Sequence, residues 1–292
     1  MLLNLNPTTV PSPPSELTLS AGQSVWGWWD ASLYSPTQPN VYNAQLSNVL
    51  WPAQINQSPY YYWIFNTIPT ITSLNSVPCI SLTNNHATLT GGLDPALPVL
   101  TTIASKLPAD APSTSWEIFV VGRFSGTGTI FSQSISSTTT ARQMQLFKNP
   151  AAADVGGYLV DSFNRGIGAS ALDNKDLNSA GNSPSIAYML LDNTPLAGSN
   201  PKVDLGSGPN VARRGNLVGT FAALEASPHI RIGARGNGSN NSVAFTFSDA
   251  TAAFAELVIF SHSAGTAPLS PENRLSLRKY LANKWGAVEA AP

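Results

Sequence analysis

Aromatic residues near the start of the chain carry the clearest sign of binding chemistry. Tyr60 to Trp63 are four consecutive rings, and Trp51 and Asn66 are close to them in sequence. Sugar rings bind by stacking their C–H faces on exposed aromatic rings, while amide groups hydrogen-bond the hydroxyls. In a β-strand, neighbouring side chains alternate between two faces, so at most two of these rings could share one exposed face. The segment is interpreted either as half-buried packing or as a glycan-binding surface, whose candidate residues are Trp51, Tyr60, Tyr61, Tyr62, Trp63 and Asn66.

The histidines and serines do not form a catalytic pattern. His86, His229 and His262 are far apart, and none belongs to a His-x-x-x-His metal motif. The sequence also contains no Gly-x-Ser-x-Gly elbow, which would expose a serine nucleophile on a strand-to-helix turn. The three histidines are therefore expected to be solvated or to lie at the edge of the core.

Oxygen-bearing side chains cluster between residues 173 and 178. Calcium takes several oxygen ligands, and Asp173 and Asp176, together with Asn174 and Asn178, offer such groups. The same residue types equally suit an Asx-rich turn. Calcium is retained as a candidate ligand of Asp173 and Asp176, and no other metal or cofactor is predicted.

The acidic residues lack the spacing of a glycosidase site. A strand bearing Glu-x-Asp-x-x-Glu projects paired carboxylates into one cleft, where they serve as acid and nucleophile. No such triplet occurs, since Glu117 stands alone on its predicted strand and Glu256 lies in an otherwise apolar one. The sequence therefore predicts no catalytic residues and a protein that is not an enzyme.

Charge is scarce, with 11% of the 292 residues charged and a formal net charge of −1. The chain lacks the basic stripe that a phosphate backbone requires, so no nucleic-acid partner is expected. Cys79, the single cysteine, lies in an apolar setting that predicts a small buried side chain. Neither a membrane span of about 20 apolar residues nor a secretory signal is visible, so no membrane partner is predicted.

After residue 115 the chain divides into short runs rich in β-branched and aromatic residues, separated by Gly, Asn, Ser and Pro. This pattern is typical of an antiparallel sandwich of many short strands. Loops are predicted at 132–140 and 174–183. Strands are predicted at 116–124, 129–131, 143–147, 158–160, 186–191, 217–224, 229–234, 243–247 and 254–260.

The two ends of the chain are predicted to differ. Near the C-terminus, Ser270 suits a helix N-cap, Pro271 the first helical position and Gly286 the stop. The apolar face of this helix ends in Trp285, which is expected to pack onto the sandwich. Residues 1–24 contain four prolines and predict an extended arm, either disordered or docked on a neighbouring subunit. Residues 25–292 are predicted to form one domain.

The end of the chain resembles the closing segment of laminin-G-like, concanavalin-A-like jelly-roll domains. The resemblance lies in a strand containing Ala255-Glu256, followed by a capped helix that ends Leu281-Ala282-Asn283-Lys284-Trp285-Gly286. Trp28-Trp29-Asp30-Ala31-Ser32 resembles the opening of such domains, and residues 119–124 and 232–236 resemble two of their strands. The resemblance implies a jelly-roll sandwich in which Glu256 is a structural, internally bonded carboxylate. Trp29 and Trp285 are expected in the core, and Asp30 at a turn.

These observations lead to three hypotheses. The first is a surface or structural protein of a tailed-bacteriophage virion, a capsid decoration or tail-fibre component made in the host cytoplasm. Such a protein would self-associate as a homo-oligomer, contact other virion proteins and offer a surface for host glycans. The second is a free lectin-like module that binds bacterial surface polysaccharide. The third is a polysaccharide depolymerase with an unfamiliar acid pair.

Overall fold

The structure is a computed structural model. For some strand residues it describes only the backbone. It describes residues 17–34, 50–52, 55–56, 61–91, 115–126, 128–133, 144–148, 158–161, 172–174, 183–192, 202–207, 210–216, 230–236, 243–244, 246–247, 251–263 and 265–287.

Short β-strands dominate these residues, joined by one 3-10 turn at Ala31–Leu33 and one α-helix, α1, at Pro271–Trp285. The strands are β1 Gln23–Asp30, β2 Leu50–Pro52, β3 Ile55–Asn56, β4 Tyr61–Phe65, β5 Ile71–Leu74, β6 Val77–Ser81, β7 Ala87–Gly91, β8 Ser115–Arg123, β9 Gly128–Gln133, β10 Met144–Lys148, β11 Tyr158–Asp161, β12 Leu172–Asn174, β13 Ser185–Asp192, β14 Lys202–Ser207, β15 Asn210–Asn216, β16 Ile230–Ile232, β17 Arg235–Gly236, β18 Val243–Ala244 and β19 Ala253–His262.

Two large antiparallel sheets contain almost all of these strands. Within the described ranges, sheet A has nine strands in the order β15-β14-β13-β8-β19-β1-β3, with β6 also on β19 and β5 on β6. Sheet B has eight, in the order β12-β11-β10-β9-β16-β7-β4-β2, and β17 and β18 form a separate ribbon. The fold class is therefore as predicted: an all-β sandwich consistent with a jelly roll, with a C-terminal helix.

Neighbouring tryptophans of β1 reach opposite layers of the domain. Trp29 contacts Trp63 of sheet B, with ring centroids 5.6 Å apart, whereas Trp28 contacts Tyr280 of α1 at 5.9 Å. Trp28, Trp29 and Trp63 are fully buried. Because alternate residues of a strand face opposite sides, sheet A packs on sheet B through one face and on α1 through the other. The face under α1 is where the buried charges described below lie.

The predicted helix and its caps are confirmed. Ser270 is the N-cap and accepts a hydrogen bond from the backbone N–H of Asn273, and Gly286 ends the helix in the left-handed region at φ 68°. Asn75, in the turn between β5 and β6, donates from Nδ2 to carbonyls of the last helical turn. A Cβ on Gly286 would lie 3.0 Å from the Cβ of Asn75, so this close approach also favours glycine. The residues of α1 that face the sheet are Leu277, Leu281, Ala282 and Trp285.

The last residues of the predicted arm contact the sandwich. Residues 1–16 of the predicted arm lie outside the described residues. Leu17 and Leu19 pack against the core, and β1 begins at Gln23 rather than after residue 24. The Nδ2 of Asn273 donates to the carbonyl of Thr18 at 2.9 Å. The last part of the predicted arm therefore packs on the helix of its own domain.

Most of the predicted strands occur, with shifts at their ends. The strand predicted at 229–234 is shorter in the structure, where β16 covers Ile230–Ile232. The separate strand β17 begins at Arg235. Two predicted loops start late, because β9 extends to Gln133 and β12 includes Asn174. The strand predicted at 217–224 lies outside the described residues. Strands β1 to β3, β5 to β7, β12, β14, β15 and β17 were not predicted, and β4 lies in the aromatic segment for which packing is one of the two interpretations. Most of the strands that were not predicted are short or contain polar residues.

Candidate functional site

The aromatic segment lies at one end of sheet B. Strand β4 pairs with β7 on one side and with β2, the last strand in the sheet order, on the other, with Trp51 in register with Trp63. The indole of Trp63 is fully buried against Trp29. A ring buried in the sandwich cannot stack on a sugar, so Trp63 is a core residue and does not belong to a glycan-binding surface. For this residue the packing interpretation applies.

The other residues of the segment keep their predicted role as a hypothesis. Asn66 follows β4 with an exposed side chain, and its backbone N–H donates to the carbonyl of His86 at 2.9 Å. Tyr60 and the side chains of Trp51, Tyr61 and Tyr62 lie outside what the structure describes. The backbone nevertheless brings residues 51, 61 and 62 together, because Pro52 is in register with Tyr62.

A buried charge network surrounds Glu117 where sheet A meets the start of α1. Its carboxylate accepts hydrogen bonds from Arg274 Nε at 2.8 Å, from Tyr188 Oη at 3.1 Å and from the backbone N–H of Leu269 at 2.6 Å. His262 Nε2 lies 3.1 Å from the same carboxylate. Glu117 and His262 are fully buried, and 21% of the Arg274 side chain is exposed. The network ties the β19–α1 connection and the first helical turn to the sheet.

The electrostatics of Glu117 favour its ionised form. Burial raises the pKa of Glu117, but the His262 hydrogen bond and the Arg274 charge outweigh this and hold the pKa below its usual value. A carboxylate that an arginine and three further partners keep ionised is suited to a structural role, holding neighbouring elements together. A general acid needs the opposite shift, toward neutral pH.

The second buried carboxylate, Glu256, lies directly opposite Asp30 on the neighbouring strand. Facing carboxylates repel each other, and Lys284 of α1 enters between them. Its Nζ lies 2.5 Å from Asp30 Oδ2 and 2.9 Å from Glu256 Oε2. The indole N–H groups of Trp28 and Trp285 donate to Glu256 Oε1 and Oε2, each at 2.5 Å. This group joins the first strand, the last strand and the end of the helix.

Burial and like charge act together on Glu256. Burial raises the pKa of Glu256 to about 7, with the Asp30 charge adding to the rise while Lys284 and the Trp285 hydrogen bond oppose it. Burial lowers the pKa of Lys284, but the charges and hydrogen bonds of Glu256 and Asp30 outweigh it, so that this pKa is raised. Glu256 therefore gains or loses its proton near neutral pH.

This arrangement predicts a specific pH dependence of stability. The folded-state pKa of Glu256, about 7, lies above its ordinary value of 4.5, so folding takes up a proton between those pH values. The resulting stabilisation is complete below about pH 4.5 and is lost as the pH rises through 7. We expect the unfolding free energy of the wild type to fall by a few kcal/mol relative to Glu256→Gln over this window. Urea denaturation at several pH values measures both proteins, and parallel curves would contradict the assignment.

A groove lies beside the start of α1, between residues 18–23 and residues 266–273. It has a volume of about 500 Å³, within the range of about 300–1,000 Å³ typical of ligand pockets. Uncharged polar side chains contribute much of its wall: Thr18, Ser20, Gln23, Thr266, Ser270 and Asn273. The amide of Gln23 already donates to the carbonyls of Ala267 and Pro268, so it also stabilises the groove itself.

The remaining candidate residues fall into two groups. Cys79 is fully buried as predicted, and burial raises the pKa of its thiol to about 12. His262 is fully buried, which corrects the prediction of a solvated or core-edge side chain, whereas His86 is half-buried. No group of three His, Cys, Asp or Glu side chains suited to a metal occurs among the described residues. Asp176, His229 and the side chain of Asp173 lie outside them, so calcium stays a prediction.

The chain is distantly similar to several solved structures. No protein-family model and no curated protein matches the sequence. The CBM40 of the Ruminococcus gnavus IT-sialidase aligns with a TM-score of 0.44 and 12% identity, over 60% of this chain and 90% of that one. A Trypanosoma rangeli sialidase aligns at 0.41 and 12%, over 96% and 37%. Domains LG4-5 of the mouse laminin alpha1 chain align at 0.32 and 14%, over 53% and 38%.

The bacteriophage, capsid and tail-fibre hypotheses stay predictions, as do self-association and localisation to the virion. Among the described residues, no helix has both the length and the apolar character needed to cross a membrane.

Sequence reasoning named most of the buried cluster but not its contacts. Asp30 does fix a turn, accepting hydrogen bonds from the N–H and Oγ of Ser32, and Trp285 is fully buried. Lys284 lies in the family-like motif that ends the helix, and Glu117 has no acidic partner near it in sequence. The signal in the sequence was that Asp30, Glu256 and Lys284 each stand in a segment that resembles the family.

Proposed function

We propose that this chain is a non-catalytic β-sandwich module that binds polysaccharide. The observation that carries the proposal is the position of the aromatic segment on β4, next to the last strand of sheet B and followed by the exposed Asn66. A sheet edge offers access to a long chain of sugars, and rings with neighbouring amides supply both stacking and hydrogen bonds.

The burial and ion pairing of Glu117 and Glu256 support a role without catalysis. Glycoside hydrolysis uses two carboxyl groups on either side of the scissile bond, where the substrate reaches both. Glu117 and Glu256 are fully buried between sheet A and α1, and each is paired with a cation of that helix. Both side chains therefore attach the helix to sheet A.

Glycan binding is tested with a polysaccharide array followed by titration of the best ligand. We expect Tyr62→Ala to weaken binding about fivefold, because position 62 of β4 alternates with the buried Trp63 and Phe65 and a stacked ring contributes on the order of 1 kcal/mol. Thr266→Ala, in the groove beside α1, is the matched control and should leave affinity unchanged. Loss of binding in Thr266→Ala alone would move the site to the groove, and a folded protein that binds no glycan would refute the proposal.

A further inference from the structure

The amine of Lys284 and the carboxyl group of Asp30 are in direct contact, with Nζ hydrogen-bonded to Oδ2. Asp30 is 1% exposed and Lys284 19% exposed. A third reactive group, the carboxylate of Glu256, lies 2.9 Å from the same nitrogen. An amine, a carboxyl group and a buried proton acceptor thus meet at one point.

We propose that Lys284 and Asp30 condense into an intramolecular amide bond, with Glu256 as the proton shuttle. Lys284 passes one proton from Nζ to Glu256 Oε2, and the neutral amine attacks Cγ of Asp30, forming the N–C bond. Glu256 hands this first proton to Oδ2, takes a second proton from nitrogen and hands that one to Oδ2 as well as the Cγ–Oδ2 bond breaks, so that Oδ2 leaves as water. One ammonium and one carboxylate become one amide and one water, Glu256 is regenerated as a carboxylate, and no oxidant or cofactor takes part.

The surroundings of Asp30 suit this step. Its Oδ1 accepts hydrogen bonds from the backbone N–H of Ser32 at 2.9 Å and from the Ser32 hydroxyl at 2.7 Å. Donors fixed in place stabilise the negative charge that Oδ1 gains when Cγ becomes tetrahedral. The two oxygens are thereby distinguished, because Oδ1 is held by Ser32 and Oδ2 faces Lys284.

Aromatic side chains enclose the reacting groups. Lys284 Nζ lies 5.0 Å from the ring of Trp285 and 5.7 Å from that of Tyr280, while Trp28 and Trp285 fix the carboxylate of Glu256. Lys284 holds its proton while both carboxylates are charged, so the neutral amine forms only when that proton passes to Glu256. Fixed proximity corresponds to effective concentrations of about 10⁵–10⁸ M, and the raised pKa of Glu256, about 7, suits a group that both accepts and donates protons.

The test is the intact mass of the purified, folded full chain, measured under denaturing conditions. We expect a mass lower than that of the sequence by one water molecule. Proteolytic mapping should then yield a branched peptide in which Asp30 is joined to Lys284. Because 254 positions separate the two residues, the cross-linked chain should also migrate faster than a linear control on a denaturing gel.

Three variants make the outcome specific. Lys284→Arg keeps the positive charge but should show the full sequence mass. Asp30→Asn should give the same amide with loss of ammonia in place of water. Glu256→Gln should leave the amine and carboxyl group uncondensed, and a cross-link in that variant would overturn the shuttle role. A wild-type protein with the full sequence mass would overturn the cross-link itself. A loss of water that persists in Lys284→Arg would also overturn it, because the loss would then come from another reaction such as cyclisation at Asp30.

Discussion

Replacing Glu117 by alanine is expected to lower the free energy of unfolding by about 3–5 kcal/mol, the range seen when one partner of a buried ion pair is removed. The variant leaves the Arg274 guanidinium, the His262 ring and the N–H of Leu269 without their shared acceptor. Each lost hydrogen bond leaves a buried donor that water reaches poorly. Thermal or urea unfolding monitored by tryptophan fluorescence measures the loss.

The control for this variant is Glu272→Ala in the first turn of the same helix. Glu272 is an exposed acid, so its removal takes away one negative charge, as Glu117→Ala does, without opening a buried network. We expect a much smaller change in stability. Equal effects of the two substitutions would show that the loss of one negative charge matters and the Glu117 contacts do not.

Trp285→Ala is expected to destabilise the fold by about 3–5 kcal/mol, the usual range for deleting a large buried ring. The indole is fully buried and is one of two that hydrogen-bond Glu256. Its removal leaves a cavity between α1 and sheet A and takes a donor from a carboxylate whose burial already raises its pKa to about 7. We also expect α1 to exchange its amide protons faster, since the helix loses its C-terminal attachment.

Lys279→Ala provides the comparison on the exposed side of α1. Lys279 is exposed, and alanine is the most favourable helix residue. The substitution should therefore leave both stability and amide exchange nearly unchanged. If Trp285→Ala behaved like Lys279→Ala, the helix would not depend on its contact with the sheet.

Local patterns in the sequence were sufficient for the fold class and for α1. Ser270, Pro271 and Gly286 each act through their immediate neighbours on the chain, so caps could be predicted from sequence. Continuous apolar runs likewise predicted β8, β13 and β19, the central strands of sheet A, because a strand covered on both faces needs apolar residues at nearly every position. Strands β14 and β15, at one end of sheet A, contain no such apolar run and were missed.

The candidate site was less predictable from the sequence, because the role of each side chain depends on which layer of the domain it enters. Trp63 belongs to a run that predicts sugar stacking, yet the pleat of β4 sends its indole into the sandwich against Trp29. His262 ends an apolar strand and was expected near solvent, but α1 and the preceding loop cover it. Spacing along one strand could indicate alternation but not which of the two faces would be buried.

The sequence by itself determined that the chain is an all-β sandwich with a capped C-terminal helix, since these features follow from residue periodicity and local capping. Only the tertiary structure decided that Glu117 and Glu256 anchor that helix and that Asp30, Glu256 and Lys284 meet. The physical reason is distance along the chain: Asp30 and Lys284 are 254 positions apart. They become neighbours only when the first and last strands pair and α1 packs across them.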